Sequence, residues 1–211
     1  MRRIKIGNVR TPVDYLKQFF APAGYGLGSF GVSTSDLDTN TKSGCYSFTD
    51  GCKNAPCSYG VALVLNRYDV DIVQIVFNVS MKSGYEGGSI ARRVYVEAEW
   101  SEWEYFNPPT QPGVEYRTTE RWMGKTVYTK LINCQTLTTG RTPIYIGDIT
   151  NIIRYAGSCD YCALPYRDPN INGTIDMAVE PGYIIFNVNV PDAERLAALG
   201  TAYVQIWYTK D

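Results

Sequence analysis

The sequence contains no histidine, and only 19% of its 211 residues are charged. Histidine is the side chain most often used as a general base, a metal ligand or a pH-dependent switch, so its absence argues against an enzyme. The formal net charge is -1, and no basic block extends beyond Arg2 and Arg3. Nucleic-acid-binding proteins concentrate lysine and arginine where they neutralise phosphates. We therefore expect no nucleic-acid partner.

Long apolar runs are missing as well. No stretch approaches the roughly 20 apolar residues of a membrane-spanning helix, and the N-terminus lacks the apolar segment of a secretory signal peptide. We therefore expect a soluble chain that is neither inserted in a membrane nor exported by the standard route. Nucleophile elbows, phosphate-binding loops and dinucleotide fingerprints are also absent from the sequence, so we predict no cofactor.

The cysteines indicate neither a disulfide framework nor a metal site. A chain of this length can bury enough apolar surface to fold without disulfides, so we expect mostly free thiols. One pair of cysteines has the two-residue spacing of a zinc knuckle, but a zinc site would need a second such pair, and histidine cannot supply one. We predict no bound metal. The six cysteines are Cys45, Cys52, Cys57, Cys134, Cys159 and Cys162.

What the chain does contain favours a mainly β fold. Hydrophobic residues make up 45% of the sequence, and 19 glycines, 11 prolines and 17 tyrosines are typical of many short strands joined by turns. Two short helices are predicted, over residues 11–20 and 192–199. Apolar and β-branched runs predict strands at 60–66, 70–79, 90–100, 125–133, 143–147, 149–155, 174–179, 183–190 and 202–208.

A tryptophan-rich segment, residues 98–122, separates two β-rich halves and holds three of the four tryptophans. Trp100 and Trp103 can bury a large apolar area, whereas the prolines at 108 and 109 prevent regular structure. One domain therefore closes here and a second begins. We predict a domain at residues 1–109 and a second, an antiparallel β-sandwich, at 110–211.

Four short motifs follow one another along the first domain: Asp36-Leu37-Asp38, Gly44-Cys45-Tyr46, Gln74-Ile75 and Trp100-Ser101-Glu102-Trp103. In this order they resemble the pyocin-knob domain of bacteriophage tail fibres, with Asp38 in place of the usual asparagine. The run over residues 113–128 is similar to the opening of a β-rich module found behind such knobs. The matches cover about a third of the chain.

The resemblance implies a receptor-binding protein of a phage tail fibre, with a knob-like domain followed by a β-sandwich tip. It implies adhesion to the host bacterial surface without turnover, contacts with other tail proteins, and a place in the virion, in the tail fibre or baseplate, after assembly in the host cytoplasm. It also implies a homotrimer, in which three weak glycan sites gain avidity when presented together. No fibrous shaft precedes the knob motifs, so the sequence fits either a whole short protein or one domain of a longer one.

Residues 155–172 are predicted to be a polar loop that contacts the receptor. Sugars pack their CH faces on aromatic rings, while carboxylates and amides bond their hydroxyls, and this segment contains both kinds of side chain. The alternative is that these residues only solvate a long connection or meet a neighbouring subunit. The predicted ligand-binding residues are Tyr155, Asp160, Tyr161, Tyr166, Arg167, Asp168 and Asn170.

Two other functions remain open. A structural baseplate or capsid-decoration protein would bind other virion proteins through a flat apolar patch. A tail-associated polysaccharide hydrolase would need a pair of carboxyl groups in a cleft, but alternating glutamates on a strand usually form its solvated face, and no catalytic residues are predicted. The carboxylates that could serve are Glu97, Glu99, Glu102, Glu104, Asp160 and Asp176.

Overall fold

The computed structural model describes residues 32–79, 88–149, 151–168 and 173–210. The helix predicted over residues 11–20 lies outside this range. The described chain is mostly β, with one short α-helix and one 3-10 turn, which confirms the predicted fold class. The chain divides into two compact units, Met1–Glu104 and Tyr105–Asp211. None of the helices in the described residues has the length and apolar character needed to cross a bilayer.

The described part of the first unit is a meandering sheet around a small apolar core. Its strands are β1 (Val32–Ser33), β2 (Gly44–Phe48), β3 (Gly60–Arg67), β4 (Asp71–Asn78), β5 (Ile90–Val96) and β6 (Glu99–Trp100). Successive strands pair antiparallel, except that β1 runs parallel to β2. The 3-10 turn, Leu37–Thr39, places Leu37 against Phe48, Ala62 and Val76 on one face of the sheet.

The strands predicted at 60–66 and 70–79 are confirmed, and they pair antiparallel as a hairpin of β3 and β4. At its turn, the side-chain amide of Asn66 donates to Asp69 Oδ1 at 2.7 Å, and the Asp69 backbone N–H donates to Asn66 Oδ1 at 2.8 Å. Tyr68 and Asp69 have φ angles of 54° and 59°. Positive φ at both central residues gives the turn a twist that matches the flanking strands.

The single strand predicted over residues 90–100 is wrong, because the chain turns back on itself at Glu97 and Ala98. Their φ angles of 55° and 67° form a tight turn, and β6 pairs back onto β5. The buried face of β5 carries Ala91 and Arg93 rather than the valines, and Val96 is 47% exposed. The alternation of Val94, Val96, Ala98 and Trp100 with Tyr95, Glu97 and Glu99 predicts a strand with the first four residues on its buried face; the strand is present, but this choice of buried face is wrong.

The second unit is a sandwich of two sheets. The elements are β7 (Glu104–Asn107), which spans the division between the units, β8 (Glu115–Trp122), β9 (Lys125–Thr136), β10 (Gly140–Tyr145), β11 (Asn151–Cys159), β12 (Cys162–Leu164), β13 (Tyr166–Asp168), β14 (Gly173–Glu180), β15 (Tyr183–Asn189), α1 (Ala193–Ala198) and β16 (Thr201–Thr209). The larger sheet has the strand order β7-β8-β9-β16-β11-β12, and the smaller sheet has the order β10-β15-β14-β13. Pairing is antiparallel apart from a parallel contact between β7 and β8.

The core of this unit lies between its two sheets. Val204 and Ile206 of the larger sheet and Ile184 and Phe186 of the smaller one belong to a single buried cluster. Strand β16 alternates from Thr201 to Tyr208, so that every second side chain over this stretch enters the core. The helix predicted near residues 192–199 is also confirmed, because Asp192 caps α1 by accepting the backbone N–H groups of its first turn.

Candidate functional site

Two of the motifs behind the pyocin-knob resemblance meet in a buried polar network in the first unit. Gln74 is fully buried in β4. Its amide nitrogen donates to the backbone carbonyls of Leu37 at 2.7 Å and Asn40 at 3.0 Å, and its oxygen accepts from Nε of Arg93 at 3.0 Å. Every polar atom of this side chain is therefore hydrogen-bonded, as a buried amide requires.

Arg93 connects this network to the tryptophan motif. Its guanidinium carbon lies 4.2 Å from the ring centre of Trp100 and 4.5 Å from that of Trp103, and Nη1 lies 2.7 Å from Asp38 Oδ1. Burial lowers the pKa of Arg93, and the Asp38 carboxylate opposes that shift. Trp103 is itself held by a hydrogen bond from its indole nitrogen to the Asn54 carbonyl at 3.0 Å. The tryptophan motif thus serves to enclose a buried cation.

A groove in the second unit is the candidate ligand site. Two adjoining cavities of about 340 and about 660 Å³ share three wall residues, and we call them together the Lys130 groove. The shared residues are Lys130, Ile146 and Gly147. The smaller cavity is completed by Glu115, Asp148, Ile149, Tyr208, Thr209 and Lys210. The larger one is completed by Pro112, Gly113, Ile132, Asn133 and Tyr145.

Lys130 is placed in the groove by strand register. In β9 it lies directly opposite Glu115 of β8 on one side and Ile206 of β16 on the other. Directly opposite residues share a face of the sheet, and Ile206 is fully buried. Lys130 therefore extends from the core-facing side of the larger sheet, and the groove is an opening of the space between the two sheets.

The opposite wall is a short loop after β10 that is fixed at both ends. Ile146 and Ile149 are buried in the core cluster. The Ile146 N–H donates to the Gly182 carbonyl at 3.0 Å, and the Gly182 N–H donates to the Ile149 carbonyl at 2.9 Å. Gly147 has a φ of 96°, which glycine adopts without strain. The loop therefore presents Gly147 and Asp148 to the groove on a rigid support.

Both carboxylates of the groove are already hydrogen-bonded. Glu115 accepts from the Lys210 ammonium at 2.5 Å with Oε1 and from the Tyr208 hydroxyl with Oε2. Burial, followed by this contact with Glu115, raises the pKa of Tyr208. Asp148 accepts from the Tyr145 hydroxyl at 2.8 Å, and that hydrogen bond raises the pKa of Tyr145. These contacts hold the acidic oxygens in fixed positions along the wall.

Exposed tyrosine rings flank the groove. Tyr145 is 61% exposed and Tyr183 is 45% exposed. They are cross-strand neighbours in β10 and β15, with ring centres 5.4 Å apart and planes inclined at 57°. Aromatic rings beside fixed carboxylate, amide and ammonium groups can stack on the apolar face of a sugar while its hydroxyls are bonded. Among the residues that the structure describes, no group of three or more metal-ligating side chains could hold a metal ion.

The segment predicted as the receptor loop is mostly strand in its described part. Strands β11 and β12 form a hairpin whose turn is Asp160 and Tyr161, with Cys159 opposite Cys162. A cis peptide joins Leu164 to Pro165 before β13 begins. The polar composition that suggested a loop instead belongs to short strands at or near the sheet edges.

The structure does not bring the six described residues of the predicted ligand-binding set into one cluster. Tyr161 is 80% exposed at the hairpin turn, whereas Tyr155 precedes Asp160 by five residues in an extended strand, about 16 Å along it. Tyr166 is half-buried against the core, and β13, which contains Arg167 and Asp168, belongs to the other sheet. Asn170 lies outside the described residues.

Solved structures that match this chain include pyocin tail fibres. One is an N-truncated R2-type pyocin tail fibre, with 10% identity, a TM-score of 0.31, and coverage of 87% of this chain and 98% of that chain. Another is the C-terminal part of an R2 pyocin fibre of P. aeruginosa, with 10% identity, a TM-score of 0.32, and coverage of 88% of this chain and 68% of that chain. No family model and no curated protein matches the sequence. The function proposed below therefore rests on the residues of this chain.

The groove was not predicted from the sequence, although one feature of strand β9 indicates it. Tyr128, Lys130 and Ile132 occupy alternate positions of a predicted strand, so a lysine stands on an otherwise apolar face. A charged residue at such a position is unusual and indicates either an ion pair or an opening to solvent. Tyr145 and Asp148 gave no such signal, because their pairing depends on the loop geometry.

Asp160, one of the predicted ligand residues, makes a hydrogen bond that supports the fold. Its Oδ2 accepts the Thr201 backbone N–H at 2.9 Å where β16 begins. We expect Asp160→Ala to lower the free energy of unfolding by about 1 kcal/mol, because this N–H loses its protein acceptor. Urea unfolding measures the change, and Tyr161→Ala at the same turn should have no comparable effect. Unchanged stability together with lost receptor binding would restore Asp160 as a ligand residue.

Proposed function

We propose that this chain is a receptor-binding protein of a bacteriophage tail fibre or related tail structure, and that it adheres to a glycan of the host bacterial surface through the Lys130 groove. The order of the knob motifs in the sequence supports the tail-fibre assignment. The groove supports binding of a sugar.

The observation that carries the proposal is the arrangement of side chains around the groove. Tyr145 offers an exposed ring, Asp148 and Glu115 offer oriented oxygens, and Lys130 offers an ammonium, all within one pair of cavities. A glycan site needs such a combination, because each sugar ring has both an apolar face and a rim of hydroxyls. The supporting strands and the fixed loop keep the groove in one conformation, which reduces the entropy lost on binding.

We propose that the protein binds without turnover, as one component of the virion in contact with other tail proteins. A homotrimer would present three grooves together, so that weak individual contacts combine into avid attachment. Neither nucleic acid nor membrane insertion forms part of this function, and no cofactor is required.

Binding of the fluorescently labelled protein to intact cells across a panel of bacterial strains tests the proposal. We expect strain-restricted binding that is lost when the cells are treated with periodate, and a solution mass that corresponds to a trimer. Tyr145→Ala should weaken binding about ten-fold, since it removes a stacking surface worth on the order of 1.4 kcal/mol.

Tyr161→Ala is the matched control, because it removes an even more exposed tyrosine from the same unit. It should leave binding unchanged. If Tyr161→Ala abolishes binding while Tyr145→Ala does not, the receptor site is the β11–β12 hairpin. Absence of binding to every strain by a well-folded protein would contradict adhesion.

A structural role within the virion is the second candidate, and an apolar surface of the first unit favours it. Val61 and Phe77 are directly opposite each other in β3 and β4, and they are 36% and 42% exposed. Leu65, on the same face of β3, is 47% exposed. A continuous exposed apolar face is typical of contacts with other proteins. Incorporation into tails without cell binding would support this alternative.

A further inference from the structure

Lys130 is a cation of the groove that has no ion-pair partner among the described residues. It is half-buried and lines the groove together with apolar Ile132 and Ile146, and its ammonium makes no hydrogen bond or ion pair with any of the described residues. The other lysine of the groove, Lys210, is already engaged, because it binds Glu115 and lies 4.4 Å from the ring centre of Tyr128.

Neither carboxylate of the groove is hydrogen-bonded to the Lys130 ammonium. Glu115 lies directly opposite Lys130, yet Lys210 and Tyr208 bind its two oxygens. Asp148 accepts the Tyr145 hydroxyl on the loop side of the groove. The Lys130 ammonium therefore has no hydrogen-bonded counter-charge among the described residues when the groove is empty.

Occupancy of the groove would change this balance. A ligand that fills the two cavities displaces water from Lys130, and an ammonium that loses water without gaining a counter-charge is strongly destabilised. A neutral ligand incurs this penalty in full. An anionic ligand removes it by forming a charge-assisted hydrogen bond in a partly dehydrated site.

We infer that the glycan bound by the Lys130 groove carries an anionic group, a carboxylate or a phosphate, which contacts the Lys130 ammonium. This inference rests on the proposed function, since it names the class of sugar that the same site selects. Tyr145 supplies the stacking surface, and Lys130 supplies the preference for acidic over neutral residues.

The test uses surface polysaccharide extracted from a strain that the protein binds. Three preparations are compared by biolayer interferometry: the native polymer, the polymer with its carboxyl groups reduced to alcohols, and the polymer dephosphorylated with hydrofluoric acid. We expect one treatment to weaken binding about ten-fold, which identifies whether the anion is carboxylate or phosphate.

Three variants assign the effect to Lys130. Lys130→Gln should bind the native polymer as weakly as wild type binds the neutralised one and should not distinguish them, whereas Lys130→Arg should retain the preference. Lys125→Gln, which removes the same charge from the exposed start of β9, should behave as wild type. Melting temperatures confirm that each variant is folded.

The outcomes separate this inference from the proposed function. If Tyr145→Ala weakens binding but wild type binds native and neutralised polymers equally, the groove binds glycan and the anionic class is wrong. The same conclusion follows if Lys130→Gln keeps the full preference for the native polymer. If neither Tyr145→Ala nor Lys130→Gln affects binding, the groove is not the site and both proposals fail.

Discussion

Replacing Arg93 by alanine is expected to lower the free energy of unfolding of the first unit by about 3–5 kcal/mol, the range found when one partner of a buried charged network is removed. The substitution leaves the Gln74 side-chain oxygen without its donor and Asp38 without its cation. It also removes the cation that contacts the rings of Trp100 and Trp103. Urea unfolding followed by tryptophan fluorescence measures the loss, since both rings contact the guanidinium.

Arg67→Ala is the matched control, because Arg67 forms a surface ion pair with Asp71 at 3.4 Å and its side chain is 75% exposed. Exposed pairs contribute about 0–1 kcal/mol, so its loss should be small. Arg93→Lys keeps the charge but loses the planar guanidinium that contacts both rings, and its loss of stability should fall between those of the two alanine variants. Equal effects of Arg93→Ala and Arg67→Ala would show that the tryptophan motif has no structural dependence on Arg93.

The strands of the second unit could be predicted from sequence because their patterns are local. In β16, Ala202, Val204, Ile206 and Tyr208 alternate with half-buried residues, and the chain needs no distant information to form an extended strand with one apolar face. The helix that begins at Ala193 could also be predicted from sequence, because Asp192 caps its start and Gly200, with a φ of 76°, ends it.

The turn at Glu97 and Ala98 could not be predicted in the same way. Both residues adopt positive φ, a conformation that glycine, asparagine and aspartate normally supply, so the sequence carried no turn signal. The alternation therefore continued through the turn and selected the wrong buried face. The burial of Arg93 could not be predicted either, because an arginine is buried only where other side chains bind its charge. Here those side chains are Gln74, Asp38 and the two tryptophans, and the first two are distant in sequence.

The candidate site was beyond prediction because it is assembled from distant segments. Glu115 and Lys210 are 95 residues apart in sequence and meet only because β8, β9 and β16 pair in register. Polar composition pointed instead to a contiguous segment, where aromatic and acidic residues are neighbours in sequence. The structure distributes that segment over two sheets, with β12 in one and β13 in the other.

The second large effect is expected in the core between the two sheets. Phe186 is fully buried at the centre of the smaller sheet, where it lies opposite Thr142 of β10 and Met177 of β14. Phe186→Ala removes most of a buried aromatic ring and leaves a cavity that neighbouring strands can only partly fill. We expect the free energy of unfolding of the second unit to fall by about 3–5 kcal/mol, measured by urea unfolding with circular dichroism.

Phe186→Leu separates the loss of volume from the loss of the aromatic ring. Leucine fills more of the space than alanine, so its effect should be clearly smaller, and a loss equal to that of alanine would contradict a close-packed core. The groove provides a second readout, because Ile146 and Ile149 of its loop belong to the same buried cluster as Phe186. A cavity at Phe186 is expected to loosen the packing of Ile146 and Ile149, and with it the positions of Asp148 and Tyr145 in the groove wall. We therefore expect Phe186→Ala to weaken glycan binding even at temperatures where the variant remains folded, whereas Phe186→Leu should bind as wild type.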